Sequence, residues 1–267
     1  GGQQVWSPQA GGTLIVCGGG GLPENVRECF LQLAGNRQAR IVVIPAYQST
    51  PEEREALTLD WRRAGVLSAE VICAESRSEC DSPGLIQPLT KATGVWLTGG
   101  DQNYLASTFV DTAVEHELKA LLERGGVIAG TSAGAAVMTH VMIGGNGEPM
   151  VEEQGFDLIP GAIIDQHFFH RNRTQRLLSA LVKHADLVGL GVDEHTAVVI
   201  QKRGKEWSVI GESYAMLCVP SSESFPRLEI LKSGDSTDIE ILKSSPGESA
   251  INSPADVDRL LDASIKQ

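Results

Sequence analysis

Short runs that are apolar on both faces constrain the fold of this chain more than any other feature. Residues 13–17, 40–44, 70–73, 94–97, 126–129, 161–165 and 188–192 each have the length of a strand. Several of them offer no polar face to water, so both faces must be covered, as in parallel strands sandwiched between helices. Helix-like segments lie between them at 23–33, 51–64 and 104–124. The alternation predicts an α/β fold of three layers, a mostly parallel sheet with helices on both faces. After Thr196 the runs shorten to 197–201, 207–210, 215–219, 228–231 and 239–242, which predicts an antiparallel β extension on the main sheet. One domain is expected over residues 1–243. Residues 244–267 read as a linker containing Pro246 and Gly247, then a closing helix. Ser253-Pro254 would start that helix, and Val257, Leu260, Leu261 and Ile265 would form its apolar face.

Parallel sheets gather their loops at the carboxyl ends of the strands, so chemistry is sought where the runs stop. The run 126–129 ends in Gly130-Thr131-Ser132-Ala133-Gly134, followed by helix-like Ala135-Ala136-Val137-Met138. Strand, G-x-S-x-G and helix together are the setting of a nucleophile elbow. A side chain at such a tip sits on strained backbone, so its neighbours must be small. The helix behind Ser132 would aim free N–H groups and a positive dipole end at an oxyanion. A Ser-containing tight turn without chemistry is the bland alternative.

Three other strand ends complete a constellation. The run 161–165 leads into Asp165-Gln166-His167-Phe168-Phe169-His170-Arg171-Asn172-Arg173-Thr174-Gln175-Arg176. Polar groups straight off a buried strand face a site or pair internally. His167 has the best position to take a proton from Ser132. Arginines suit a substrate carboxylate through forked hydrogen bonds. The run 188–192 ends in Asp193-Glu194-His195. Glu194 is read as the acid that orients the imidazole, with Glu148 as the alternative acid and local backbone pairing as the role of Asp193. At the fourth end, Thr98-Gly99-Gly100-Asp101-Gln102, the N–H groups of Gly99 and Gly100 could join that of Ala133 in an oxyanion hole, with Gln102 pointing into the pocket. The α/β-hydrolase order of Ser, acid, His does not suit this chain, because its best His precedes its best acid. Gly18–Gly21 has neither dinucleotide nor P-loop spacing and reads as a tight turn near substrate.

Composition narrows the partners. The chain has 267 residues, 42% hydrophobic, enough for a sizeable core. A net charge of −12 disfavours nucleic acid. No apolar run is long enough to span a bilayer. Five cysteines show no zinc-site spacing, and no metal or cofactor is expected. The cysteines favour a cytoplasmic setting. The chain opens Gly1-Gly2-Gln3-Gln4 without Met, as a processed or trimmed product would.

The four blocks Leu97–Gln102, Gly130–Ala135, Asp165–Phe168 with Arg171, Arg173 and Arg176, and Gly191–Ala197 resemble the cyanophycinases. These are serine hydrolases of the peptidase family that also holds aspartyl dipeptidase E. The resemblance spans about residues 12–220. It implies a class I glutamine amidotransferase-like fold, a homodimer and no cofactor. It implies Ser132 as nucleophile, His167 as base and Glu194 as acid, with Gln102, Asp165, Gln166, Arg171, Arg173 and Arg176 lining the substrate pocket. The implied substrate is cyanophycin, a poly-aspartate bearing arginine on each side-chain carboxyl, cut to β-aspartyl-arginine dipeptides. Arg173 is expected to bind a backbone-derived aspartate carboxylate. A dipeptidase E-like hydrolase of small aspartyl or isopeptide substrates is the alternative, and a non-catalytic module of the same fold the second. Asn172 stands where the family pattern has Gly, and the segment 144–156 is short for the family.

Overall fold

The structure, a computed structural model, describes residues 3–145, 151–221, 226–245, 255–256, 258–259 and 262. In chain order the elements are β1 (Thr13–Cys17), α1 (Glu24–Ala34), β2 (Arg40–Ala46), α2 (Pro51–Arg63), β3 (Ser68–Val71), α3 (Pro83–Lys91) and β4 (Gly94–Gly100). Then come α4 (Gln102–Phe109), α5 (Ala113–Glu123), β5 (Val127–Thr131), α6 (Ala133–Ala136), β6 (Val141–Gly144), β7 (Val151–Gln154) and β8 (Ala162–Asp165). The last are α7 (Thr174–Lys183), β9 (Val188–Val192), β10 (Thr196–Gln201), β11 (Glu206–Gly211), β12 (Tyr214–Val219), β13 (Arg227–Lys232), β14 (Ser236–Asp238) and α8 (Ile239–Ser244).

The main sheet has the order β14-β11-β10-β1-β5-β4-β2-β3. Its β1, β5, β4, β2 and β3 run parallel, and β10, β11 and β14 extend it antiparallel past β1. Alternate residues of the central strands enter two separate cores. Leu14, Val16, Val42, Ile44 and Ile128 face one, while Ile15, Cys17, Ile41, Val43 and Val127 face the other. This two-sided burial is why the runs lack a polar face. The second core is roofed by α1 and α2, where Phe30, Trp61 and Trp96 pack with ring centroids 5.1–5.3 Å apart. The first core is closed by α3, α4 and α5 and by a second sheet. The result is the expected three-layer α/β fold.

The second sheet departs from expectation. β8 and β9 leave the main sheet and join β12 and β13 in a separate sheet of order β13-β12-β9-β8. One face, with Ile164, Leu190 and Leu217, meets the first core, and α7 covers the other through Leu177 and Leu181. The C-terminal strands are thus shared between two sheets. Other differences have local causes. The helix expected over 104–124 is two, broken where Asp111 takes a left-handed φ of 60° and Thr112 caps α5. The third strand pairs at Ser68–Val71 rather than 70–73. Residues 239–242 are helical because the Asp238 carboxylate accepts the N–H groups of Glu240 and Ile241 as an N-cap. The hairpin β6–β7 was not expected. Pro246, Gly247, Ser253, Pro254, Val257, Leu260, Leu261, Ile265 and the alternative acid Glu148 lie outside the described residues.

Candidate active site

The elbow forms as a sharp turn between β5 and α6. Ser132 has φ 54° and ψ −113°, a conformation L-residues rarely hold outside functional turns. Its N–H is held by the Cys17 carbonyl at 3.1 Å. A side chain on Gly134 would come within 2.3 Å of the Leu97 carbonyl, so only glycine lets the turn approach β4. The helix behind Ser132 is a single turn, not the longer helix expected. The N–H groups of Phe156 and Leu158 take the carbonyls of Val137 and Met138 and draw the chain away. One turn carries little macrodipole. What remains for an oxyanion is local N–H donation, and the N–H of Ala133 has no intrahelical acceptor. Gly99 faces Ser132, where a Cβ would lie 3.7 Å from the Ser132 Cβ. Gly100 instead packs against the Ala46 carbonyl. Of the two glycines, Gly99 is the one set beside the serine.

His167 and Glu194 converge on Ser132 from the ends of β8 and β9. His167 Nε2 lies 2.8 Å from Ser132 Oγ, and His167 Nδ1 lies 2.5 Å from Glu194 Oε1. A carboxylate only accepts, so Nδ1 carries the proton and Nε2 is left to accept from the serine. Burial lowers the His167 pKa, against the pull of Glu194 and with help from the Arg171 charge. The imidazole is therefore neutral at neutral pH. Glu194 is held below the ordinary carboxylate range, first by its hydrogen bond with His167. Asp193 is occupied elsewhere, though by distant groups rather than the local backbone expected. Its Oδ1 accepts the N–H groups of Phe169 and His170, and its Oδ2 accepts from Ser213 Oγ.

The glycine loop after β1, expected as a tight turn near substrate, also supports the histidine, which was not expected. The Gly18 carbonyl accepts the His167 N–H at 2.8 Å, and the Gly19 carbonyl accepts that of His195 at 3.0 Å. A Cβ on Gly19 would stand 2.3 Å from His167 Cε1. The loop is the floor on which the imidazole lies. A glycine run straight after a buried strand was the only signal of it. His170 was likewise not assigned a role, yet its Nδ1 lies 3.8 Å from Glu194 Oε2.

The residues expected to line the pocket divide sharply. Asp165 is fully buried and cannot touch a ligand. Its carboxylate takes Arg176 Nε at 2.8 Å and Nη2 at 2.5 Å, and Arg173 Nη1 stands 3.8 Å away. Burial raises the Asp165 pKa, while both arginines oppose the shift. Burial also lowers Arg173 to about 10, which leaves it cationic at neutral pH. Arg173 Nη1 donates to the Gln166 carbonyl at 2.7 Å and to Gln166 Oε1 at 3.1 Å. Gln166 Oε1 is 3.3 Å from Ser132 Oγ. Arg173 and Arg176 are thus committed within the protein, and Arg173 is not the open carboxylate reader expected. Arg171 is exposed, and among the described residues it has no ion-pair partner. Gln102 does not point into an open pocket. As the first residue of α4 it is buried, and its Nε2 donates to the Ile143 carbonyl at 3.1 Å. Asn172 adopts φ 50°, a left-handed value Asn tolerates, so the turn forms without Gly. Among the described residues no cluster suits a metal ion. A cavity of about 460 Å³ beside Trp207 and Ile239 lies at the amino end of β1 and holds none of these groups.

The Asp165 array yields a stability prediction. Arg176→Ala should destabilise the protein by about 3 kcal/mol or more, because it strips the paired cation from a buried carboxylate. Arg173 at 3.8 Å compensates only in part. The folded pKa of Asp165, already raised, should rise further. The variant's deficit should then shrink as pH falls through that pKa, since the folded carboxyl takes up a proton there. Urea unfolding at several pH values checks this, and a deficit under 1 kcal/mol at neutral pH would contradict it.

The model of Peptidase family S51 matches residues 14–207. The cyanophycinase of Trichormus variabilis is 34% identical over 233 residues, 82% of this chain and 77% of that protein. That of Synechococcus elongatus is 30% identical over 225 residues, covering 79% of this chain and 70% of its own. Among solved structures, a peptidase from an acI-B1 Actinobacterium superposes with a TM-score of 0.67 at 23% identity, covering 85% of this chain and 96% of the other. A putative peptidase E from Listeria monocytogenes gives 0.53 at 19% identity, covering 76% and 99%. At those identities the two structures speak for the fold alone.

Proposed function

The chain belongs to peptidase family S51 and is a serine peptidase, and from that premise we propose that it cuts cyanophycin from an end, releasing β-aspartyl-arginine dipeptides. The observation that carries the reading is the unbroken line Glu194–His167–Ser132, with contacts of 2.5 and 2.8 Å. Ser132 Oγ attacks a backbone carbonyl of the poly-aspartate chain while His167 Nε2 takes its proton. Glu194 stabilises the imidazolium that forms. The N–H of Ala133, with a backbone donor at Gly99, receives the oxyanion. His167 then protonates the leaving amine, and water releases the acyl group by the reverse sequence. The curated relatives named cyanophycinase support the polymer as substrate.

In this reading Arg171 meets a substrate carboxylate, since its guanidinium is open to solvent near His167. Arg173 and Arg176 act through Gln166 and Asp165, holding the strand end that presents His167. The protein works as a homodimer without a cofactor, with one hydrolytic unit over residues 1–243 and a linker and closing helix after it. A cytoplasmic setting accords with five unpaired thiols. Among the described residues no helix is long and apolar enough to cross a membrane.

The test is digestion of purified cyanophycin followed by mass analysis of the soluble products. β-Aspartyl-arginine should dominate, and poly-aspartate without arginine should be a poor substrate. Arg171→Ala should lower kcat/KM on the polymer roughly ten- to two-hundredfold, the worth of one charge-assisted pair. Cleavage of small α-aspartyl dipeptides with none of the polymer would replace this reading with a dipeptidase E-like one.

A further inference from the structure

A second depression begins where the catalytic strand end stops. Asp101 follows Gly100 directly, and from it a groove of about 510 Å³ runs along α4 toward Asp111. Glu153 of β7 and Arg77 form its other walls. That volume falls within the ~300–1,000 Å³ usual for small-molecule sites. Both signs of charge line it, yet they do not neutralise each other. Among the described residues Asp101, Asp111, Glu153 and Arg77 form no ion pair. Arg77 is steadied by one bond, Nη1 to the Ser107 carbonyl at 2.9 Å, which leaves the rest of its fork free. On the same wall, Asn103 Oδ1 is shielded from water and has no hydrogen-bond partner. Buried acceptors without a donor are uncommon in native proteins, and Asn103 is one of the residues that line the groove.

These groups suit a ligand that carries a cation and an anion at once. If the substrate is cyanophycin, as proposed above, every repeat unit is such a ligand. Its branch bears a guanidinium and a free carboxylate, and its net charge is zero. We propose that the α4 groove is a second substrate subsite, holding the arginine branch of a repeat unit further along the chain than the two that flank the cut bond. The guanidinium sits between Asp111 and Glu153. The branch carboxylate meets Arg77. Asp101, at the near end of the groove, stands two residues along the chain from Gly99, which faces Ser132.

The subsite predicts a dependence on substrate length. Wild type, Arg77→Gln and the double variant Asp111→Asn with Glu153→Gln are compared on a two-unit oligomer and on an eight-unit oligomer. Both variants should raise KM for the longer substrate about two- to fivefold with kcat kept, as expected for partly exposed ion pairs, and leave the two-unit substrate unchanged. Binding of the eight-unit oligomer on a Ser132→Ala background should weaken by the same factor. Equal losses on both substrates, or no loss on the longer one, overturn the subsite. Failure of the wild type to cut either oligomer overturns the function proposed above instead. The groove is then judged by binding alone, and affinity indifferent to Arg77, Asp111 and Glu153 overturns it.

Discussion

Ser132→Ala should abolish turnover while leaving the fold in place. Loss of a nucleophile whose partners act as a unit costs about 10⁶ in kcat, and what survives comes from binding and the oxyanion donors. The substitution keeps the strained φ of 54°, so the turn has no new reason to rearrange. It removes the contacts to His167 Nε2 and Gln166 Oε1 at 2.8 and 3.3 Å. His167 is held independently, by the Gly18 carbonyl and Glu194. Single-turnover kinetics beside thermal unfolding are the measurement. A kcat within tenfold of wild type would remove Ser132 from the mechanism.

Glu194→Gln should lower kcat by about 10⁴, because the amide neither stabilises the imidazolium nor enforces the Nδ1–H tautomer. The pH profile adds a readout that mere structural damage would not move. The base must be neutral to accept the serine proton, so kcat/KM is lost as pH falls through the His167 pKa. Burial places that pKa below the ordinary 6.5, so the wild-type acid limb should have its midpoint under 6.5. Glu194 is the partner that pulls the pKa up. Without its charge the residual activity should show an acid limb displaced still lower. A limb that stays in place or moves up would show that Glu194 is not the acid. The alternative, Glu148, would then be tested by Glu148→Gln.

The parts legible in the sequence are those with local physical causes. Buried strands announce themselves as apolar runs, and the elbow as small residues around one serine. Ser132 and His167 could be proposed as nucleophile and base because each stands within three residues of the end of such a run. Glu194 could be preferred to Asp193 only as a reading. In the fold both follow the end of β9 and face the turn after β8, where Asp193 is occupied by the N–H groups of Phe169 and His170 and by Ser213, leaving Glu194 to meet His167.

Pairing partners were not legible. Ala-Ile-Ile-Asp in β8 has the same apolar look as β5, and nothing in four residues says which neighbour it will hydrogen-bond. It went to a second sheet beside β9. The hairpin strand β7, with Glu152, Glu153 and Gln154, carries too little apolar signal to be seen. The arginines show the same limit. Their offsets of four, six and nine residues from His167 follow from the sequence, but their exposure does not. It is decided by the turn at 168–173, where the Arg173 N–H returns to the Phe168 carbonyl and Asn172 goes left-handed. That turn sends Arg173 inward to Gln166, leaves Arg171 outside, and lets Arg176 reach Asp165 from α7.

By itself, then, the sequence determined the α/β class, the elbow serine and the histidine that follows β8, because each depends on contacts within a few residues. The tertiary structure alone decided which charges are spent inside the protein and which are free for a ligand. The reason is that burial and pairing are set by groups brought together across the chain. Gly19 lies under His167, residues 148 positions apart in sequence, and no local pattern encodes that meeting.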